Sequence, residues 1–183
     1  VNRSGREWFG ETFGTVTSRS VSFNVPFATS KLGKLDFRVA AQSMGSSSLF
    51  TLSAGQVIST ASPSYTSQTS TSNVVNLASG SQDGAVVSGS GLNARIEVDI
   101  NFEAAVSGAL GWLDYVRITQ ECDLNMASAQ LNFYADADAD YDRAEYRLEQ
   151  GVGLQTVWDV TNGNQPVQLS LVQSESNSAW NAQ

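Results

Sequence analysis

The chain contains no histidine and one cysteine in 183 residues. Without histidine there is no Ser-His-Asp triad and no histidine-built zinc site. One cysteine cannot close an internal disulfide. A nucleophilic cysteine needs a base to make thiolate, most often histidine. Cys122, in "ITQECDLN", therefore reads as a small buried residue near a strand end. Positive charge is also scarce: 10 Lys and Arg stand against 18 Asp and Glu, for a net charge of −8. Residues 1–96 hold seven basic and four acidic residues, +3; residues 97–183 hold three and fourteen, −11. An acidic surface repels phosphate backbones, so nucleic acid is not an expected partner. No apolar run approaches ~20 residues, which excludes a transmembrane helix. The sequence opens on Val1 with no basic-then-apolar leader, and is expected to be a processed or excised piece of a longer chain.

What is present is period two. In "RIEVDINF", Ile96, Val98, Ile100 and Phe102 alternate with Arg95, Glu97, Asp99 and Asn101. Alternate side chains of a strand point to opposite faces, so this strand has one apolar and one wet face. "VSFNVPF", "LDFRVA", "AQLNFYA", "RAEYRLE" and "VQLSL" repeat the pattern. Shorter apolar runs bring the total to roughly eleven strands, bounded by Gly, Asn, Asp and Ser clusters. No stretch carries a helical stripe; 103–110, "EAAVSGAL", has room for one helical turn. Many short half-wet strands predict an all-β fold, a two-sheet antiparallel β-sandwich. Long connections favour jelly-roll or other Greek-key wiring, with residues 1–183 as a single sandwich domain. Residues 59–72 are rich in Ser and Thr around Tyr65 and read as a loop.

Three constellations invite a chemical reading. Asp136, Asp138, Asp140 and Asp142 alternate in "DADADYD", like the opening of a calcium loop. The sixth and twelfth positions, Tyr141 and Arg147, are not the glycine and glutamate that an EF-hand uses, and a solvated turn is the plainer account. Trp8, Trp112, Trp158 and Trp180 could form a sugar-stacking platform, but Trp112 and Trp158 lie in strand-like runs where core packing is the commoner fate. "GVG" at 151–153 lacks the context of a phosphate loop and reads as a turn. No residue is assigned as catalytic, cofactor-binding or metal-ligating. In "GWLDYVRIT" the row Trp112, Val116, Ile118 alternates with Leu113, Tyr115 and Arg117. Asp114 interrupts it and requires a positive group or a backbone N–H, since an unpaired buried carboxylate is costly.

Three stretches together, "SGREWFGE" at 4–11, "GWLDYVRIT" at 111–119 and "VWDVTNGNQPV" at 157–167, resemble the region upstream of the catalytic domain in PorU-type proteins. These are cell-surface sortases of the type IX secretion system of Bacteroidetes, in the gingipain-like cysteine peptidase family. The resemblance implies a parent peptidase secreted to the outer-membrane surface of a Gram-negative bacterium. That parent would cleave C-terminal signal domains from cargo with a Cys–His pair on a separate domain. This stretch would be a non-catalytic β-rich accessory domain. Its partners would be the parent's peptidase domain, and cargo C-terminal domains or other secretion components. "ECDL" around Cys122 does not resemble the family's nucleophile motif, so no catalytic residue carries over. Within "SGREWFGE", Trp8 or Phe9 is expected to anchor the incoming chain on the sandwich, with Arg6, Glu7 and Glu11 in ion pairs or hydrogen bonds and Gly10 easing a turn. Two other readings are a carbohydrate-binding sandwich of a secreted protein and a hydrolase working through paired carboxylates.

Overall fold

The structure, a computed structural model, describes residues 9–67, 74–126, 130–133, 146–149, 156–173 and 179–182. Among these residues there are thirteen strands. They are β1 (Thr12–Phe13), β2 (Ser18–Asn24), β3 (Gly33–Gln42), β4 (Leu49–Ala54), β5 (Val57–Ala61), β6 (Asn76–Gly84), β7 (Arg95–Glu103), β8 (Leu110–Thr119), β9 (Tyr146–Glu149), β10 (Trp158–Asp159), β11 (Val167–Gln168), β12 (Leu171–Gln173) and β13 (Ala179–Ala182). The only helical element described is one 3-10 turn, Gly91–Asn93. No described helix is long and apolar enough to cross a membrane.

Alternation builds the core as the sequence pattern predicts. Every second residue of β7, from Ile96 to Phe102, is buried, and those between are exposed. β4 buries Phe50, Leu52 and Ala54 between half-buried residues, and β3 buries Leu35, Phe37, Val39 and Ala41, with Ala40 between the last two buried as well. Two four-stranded antiparallel sheets result, in the orders β1-β8-β3-β6 and β2-β7-β4-β5. Their apolar faces meet in one cluster that includes Phe13, Phe37, Phe50, Val98 and Phe102. β1 pairs with β8, β2 with β7, β3 with β6 and β4 with β5. The first four strands thus fold back along the last four, which is jelly-roll wiring. The all-β sandwich expected from sequence is the fold observed.

This sandwich lies within the first of two units, Val1–Cys122; the second is Asp123–Gln183. The sequence pattern predicts one sandwich over 1–183, whereas the two four-stranded sheets lie within the first unit. In the second unit, β12, β13 and β9 form a three-stranded sheet, and β10 with β11 a two-stranded ribbon. Leu148 and Val157 are its buried centre, with Leu131, Tyr146, Leu169 and Leu171 packed around them.

Several local expectations change. Residues 130–133 of "AQLNFYA" are not a strand, though Phe133 still packs on Tyr146 with ring centroids 5.2 Å apart. Residues 104–109 form turns rather than a helix. The stretch 59–72 begins as strand, since β5 runs to Ala61. After it, Thr66 donates its N–H to Ser43 O at 2.9 Å and Pro63 is fully buried, while Tyr65 is exposed. Residues 68–73 of that stretch lie outside the described residues.

Candidate functional site

The outer face of the first sheet brings charged and aromatic side chains together around Tyr115. A β-bulge assembles this group. Along β3 and β8, Arg38 faces Tyr115 but Val39 faces Leu113, so Asp114 is the extra residue. An extra residue reverses the inside–outside assignment of everything beyond it. Leu113 therefore joins Val116 and Ile118 against the core. Trp112 moves to the outer face, a correction to the single row Trp112, Val116, Ile118 expected from sequence.

The bulge also brings Asp114 beside Arg38, and the two form an ion pair with the Arg38 Nε–H donating to Asp114 Oδ2. The positive partner that Asp114 required from its sequence context is present. Next to the pair, the guanidiniums of Arg38 and Arg117 lie 5.9 and 5.8 Å from the Tyr115 ring centroid, within reach of cation–π attraction. Asp36 joins the row. Its Oδ1 accepts a hydrogen bond from Ser81 Oγ at 2.6 Å, and its Oδ2 lies 3.6 Å from Arg117 Nε. Asp114 and Arg38 are both partly shielded from solvent. Asp114→Asn is expected to lower the unfolding free energy by about 2 kcal/mol, the scale of a charge-assisted hydrogen bond. Urea denaturation measures this; a change below about 0.5 kcal/mol would show that the pair is screened like an ordinary surface one.

The chain enters the sandwich beside this row. Phe9 packs on Trp112 with centroids 6.3 Å apart. Gly10 N–H donates to Leu113 O, and Leu113 N–H to Glu11 O, both at 2.9 Å. Glu11 pairs with Arg19 Nη1 at 3.0 Å. The expected latch is present through Phe9 and Glu11. Gly10 serves by pairing with β8, not by turning. Arg6, Glu7 and Trp8 lie outside the described residues. Arg19 itself points inward from edge strand β2, its guanidinium 5.8 Å from the Phe13 ring centroid. An inward charge on an edge strand discourages pairing with another chain.

Other sequence candidates do not converge here. Cys122 is half-buried after β8, and its Sγ lies 3.8 Å from Gln120 O. Trp158 is exposed rather than buried in a core, and it belongs to the second unit. Asp136, Asp138, Asp140, Asp142 and "GVG" lie outside the described residues, as does the side chain of Trp180. Among the described residues no three acidic or thiol side chains gather as a metal site. The charges named on this face are matched to one another within the sheet, Arg38 with Asp114 and Arg117 with Asp36.

In the second unit, Asp159 is held below its ordinary value of 3.8 by the backbone N–H of Thr161 first, and by the Thr161 hydroxyl second. The N–H donates to Asp159 Oδ1 at 2.9 Å. A lowered carboxyl pKa stabilises the turn above the ordinary value, and that contribution is lost as pH falls through the lower folded value. NMR titration is expected to give Asp159 a midpoint below 3.8 that returns to the ordinary value in urea. A midpoint at or above it in the folded protein would refute the turn geometry.

No protein-family model matches the chain, and no curated protein does. Among solved structures, the chain is similar to the crystal structure of dimeric latent PorU from Porphyromonas gingivalis. The fold resembles a region of PorU. The TM-score is 0.76 with 16% sequence identity, over 96% of this chain and 17% of that one. At such identity the likeness is one of fold. The chain spans about a sixth of the length of PorU, as the 17% coverage states.

Proposed function

We propose that this chain is a non-catalytic β-domain of a larger PorU-type sortase, a gingipain-like cysteine peptidase of the outer-membrane surface. There it positions the peptidase domain or its protein cargo. The observation that carries this reading is the fold similarity to a PorU region over 96% of the chain. Two further features support it. The sequence has no histidine, so the Cys–His chemistry of such a peptidase must come from elsewhere. The described outer face of the first sheet holds paired charges around Tyr115, suited to packing and orientation.

The test uses the full-length polypeptide in its own cells. Cys122→Ala is expected to leave release of cargo C-terminal signal domains unchanged. Deletion of residues 1–183 is expected to reduce that release about tenfold or more, the scale on which misplaced catalytic groups lose rate. Thiol-dependent proteolysis by residues 1–183, abolished by Cys122→Ala, would overturn the reading. So would a full-length polypeptide with no cysteine peptidase domain.

A further inference from the structure

The second sheet ends on an open edge. In the order β2-β7-β4-β5, β5 is the last strand, and no described strand pairs with its other side. Gly55 and Gln56 form a two-residue turn, so Ala54 and Val57 close it as a hydrogen-bonded pair. Such pairs alternate along an antiparallel ladder, which gives Leu52 with Ser59 and Phe50 with Ala61. The N–H and C=O groups of Ile58 and Thr60 therefore point away from β4, toward the free edge. The strand that carries them is held in place, because Val57, Ser59 and Ala61 are buried against the core.

Other sheet edges carry features that discourage pairing. β1 has two residues, β2 turns Arg19 inward and β6 carries Asp83. Short length and charge are common means of blunting an edge. β5, "VISTA", has no charge and no proline, and its register with β4 runs without a bulge.

A groove of about 540 Å³ lies beside this edge, between β5 and the end of β6. Leu32, Val57, Ile58, Gln82 and Asp83 line it. Leu32 is 69% exposed and Ile58 66%. Gly84 lets the two strands approach, since a Cβ there would stand 2.5 Å from Val57 Cγ2. At one end, Gln56 N–H donates to Ala85 O at 2.8 Å. Asp83 is the charged residue of the groove, and no lysine or arginine is among its described lining. Lys34, opposite Asp83 in the ladder, reaches Asp36 instead, at 3.7 Å.

Backbone and charge together select the occupant. Free donors and acceptors at strand spacing call for an extended peptide, which adds as a further strand. An acidic groove without a cation of its own calls for a basic side chain. We propose that β5 binds an extended peptide segment by strand addition, with a lysine or arginine of that segment in the groove beside Asp83. Residues paired with Ile58 and Thr60 stand on the outer face. Their neighbours turn inward beside Val57 and Ser59, toward the groove. The inference stands apart from the sortase reading, since it requires no peptidase.

The probe is a fluorescent heptapeptide of alternating valine and lysine, added to the full-length polypeptide and followed by anisotropy. Binding is expected to saturate below about 1 mM. Glutamate in place of lysine is expected to weaken it about tenfold or more. Methylating the valine nitrogens, which face β5, is expected to abolish binding. Methylating the lysine nitrogens, which face away, is expected to leave it within about twofold. Ile58→Pro removes an outward N–H at an edge position where proline is tolerated, and is expected to weaken binding about tenfold. Asp83→Asn is expected to weaken it about threefold. A benzophenone on the peptide is expected to crosslink to residues 56–60 or 82–85.

The inference is overturned if binding does not saturate, if lysine and glutamate peptides bind alike, or if the two methylation patterns act alike. Crosslinks only outside residues 56–60 and 82–85 overturn it too. So does a dimer, seen by light scattering, that Ile58→Pro dissolves, since a second copy then holds the edge. Should Ile58→Pro not fold, the methylated peptides decide on the unaltered protein. A full-length polypeptide with no cysteine peptidase domain removes the functional reading and leaves these results untouched.

Discussion

Phe50→Ala is expected to lower the unfolding free energy by about 4 kcal/mol, within the range for buried phenylalanines. Phe50 has no exposed surface. Its ring meets Phe13 edge-on, with centroids 5.5 Å apart, and lies 4.8 Å from Phe102. Phe50 and Phe102 belong to the second sheet, and Phe13 to β1 of the first. The trio therefore joins the two layers, and truncation leaves a cavity that both sheets line. Layers held from both sides relax poorly, so most of the cavity cost remains. Equilibrium urea denaturation measures the loss. A value under about 1.5 kcal/mol would mean that the layers collapse onto the gap, contrary to a tightly packed trio.

Gly111→Val is expected to cost about 3 kcal/mol, for the opposite reason. A Cβ on Gly111 would stand 2.6 Å from Phe50 Cζ and 2.8 Å from Phe102 Cε2, both rings fixed in the core. Neither ring can swing away without displacing the other. Gly80 faces the same difficulty under the Phe37 ring, and Gly80→Val is expected to behave alike. Gly163→Ala is the control: nothing lies within 4 Å of a Cβ built there, and its change should stay within about 0.5 kcal/mol. Equal losses at Gly111 and Gly163 would show that the effect comes from glycine's backbone freedom rather than from ring packing.

Gly80 and Gly111 both lie where local sequence does not signal the strand that forms. β6 continues through "SGSQDG", a stretch that looks like a turn because it is small and polar. It is a strand because Gly80 leaves room for Phe37 and because β3 supplies pairing along its length. Gly111 likewise gives no alternation signal, yet lies between two phenylalanine rings. In such places a neighbour far away in the chain decides, and local propensity yields to it. The second unit is less legible in the sequence. Its strands are two to four residues long, too short for period two to rise above chance.

The candidate site divides in the same way. Its residue types were visible, as was the need of Asp114 for a partner and of Phe9 for a surface to anchor on. Which cation would pair with Asp114 was not visible, because Arg38 lies 76 positions away. By itself the sequence determined the all-β class, the apolar face of each long strand and the lack of histidine chemistry, since these follow from side-chain period and composition. Only the tertiary structure decided the division into two units, the bulge that turns Trp112 outward and the exposure of Trp158. The bulge depends on how β3 and β8, far apart in the chain, register against one another, and a shift of one residue in that register reverses which face meets water.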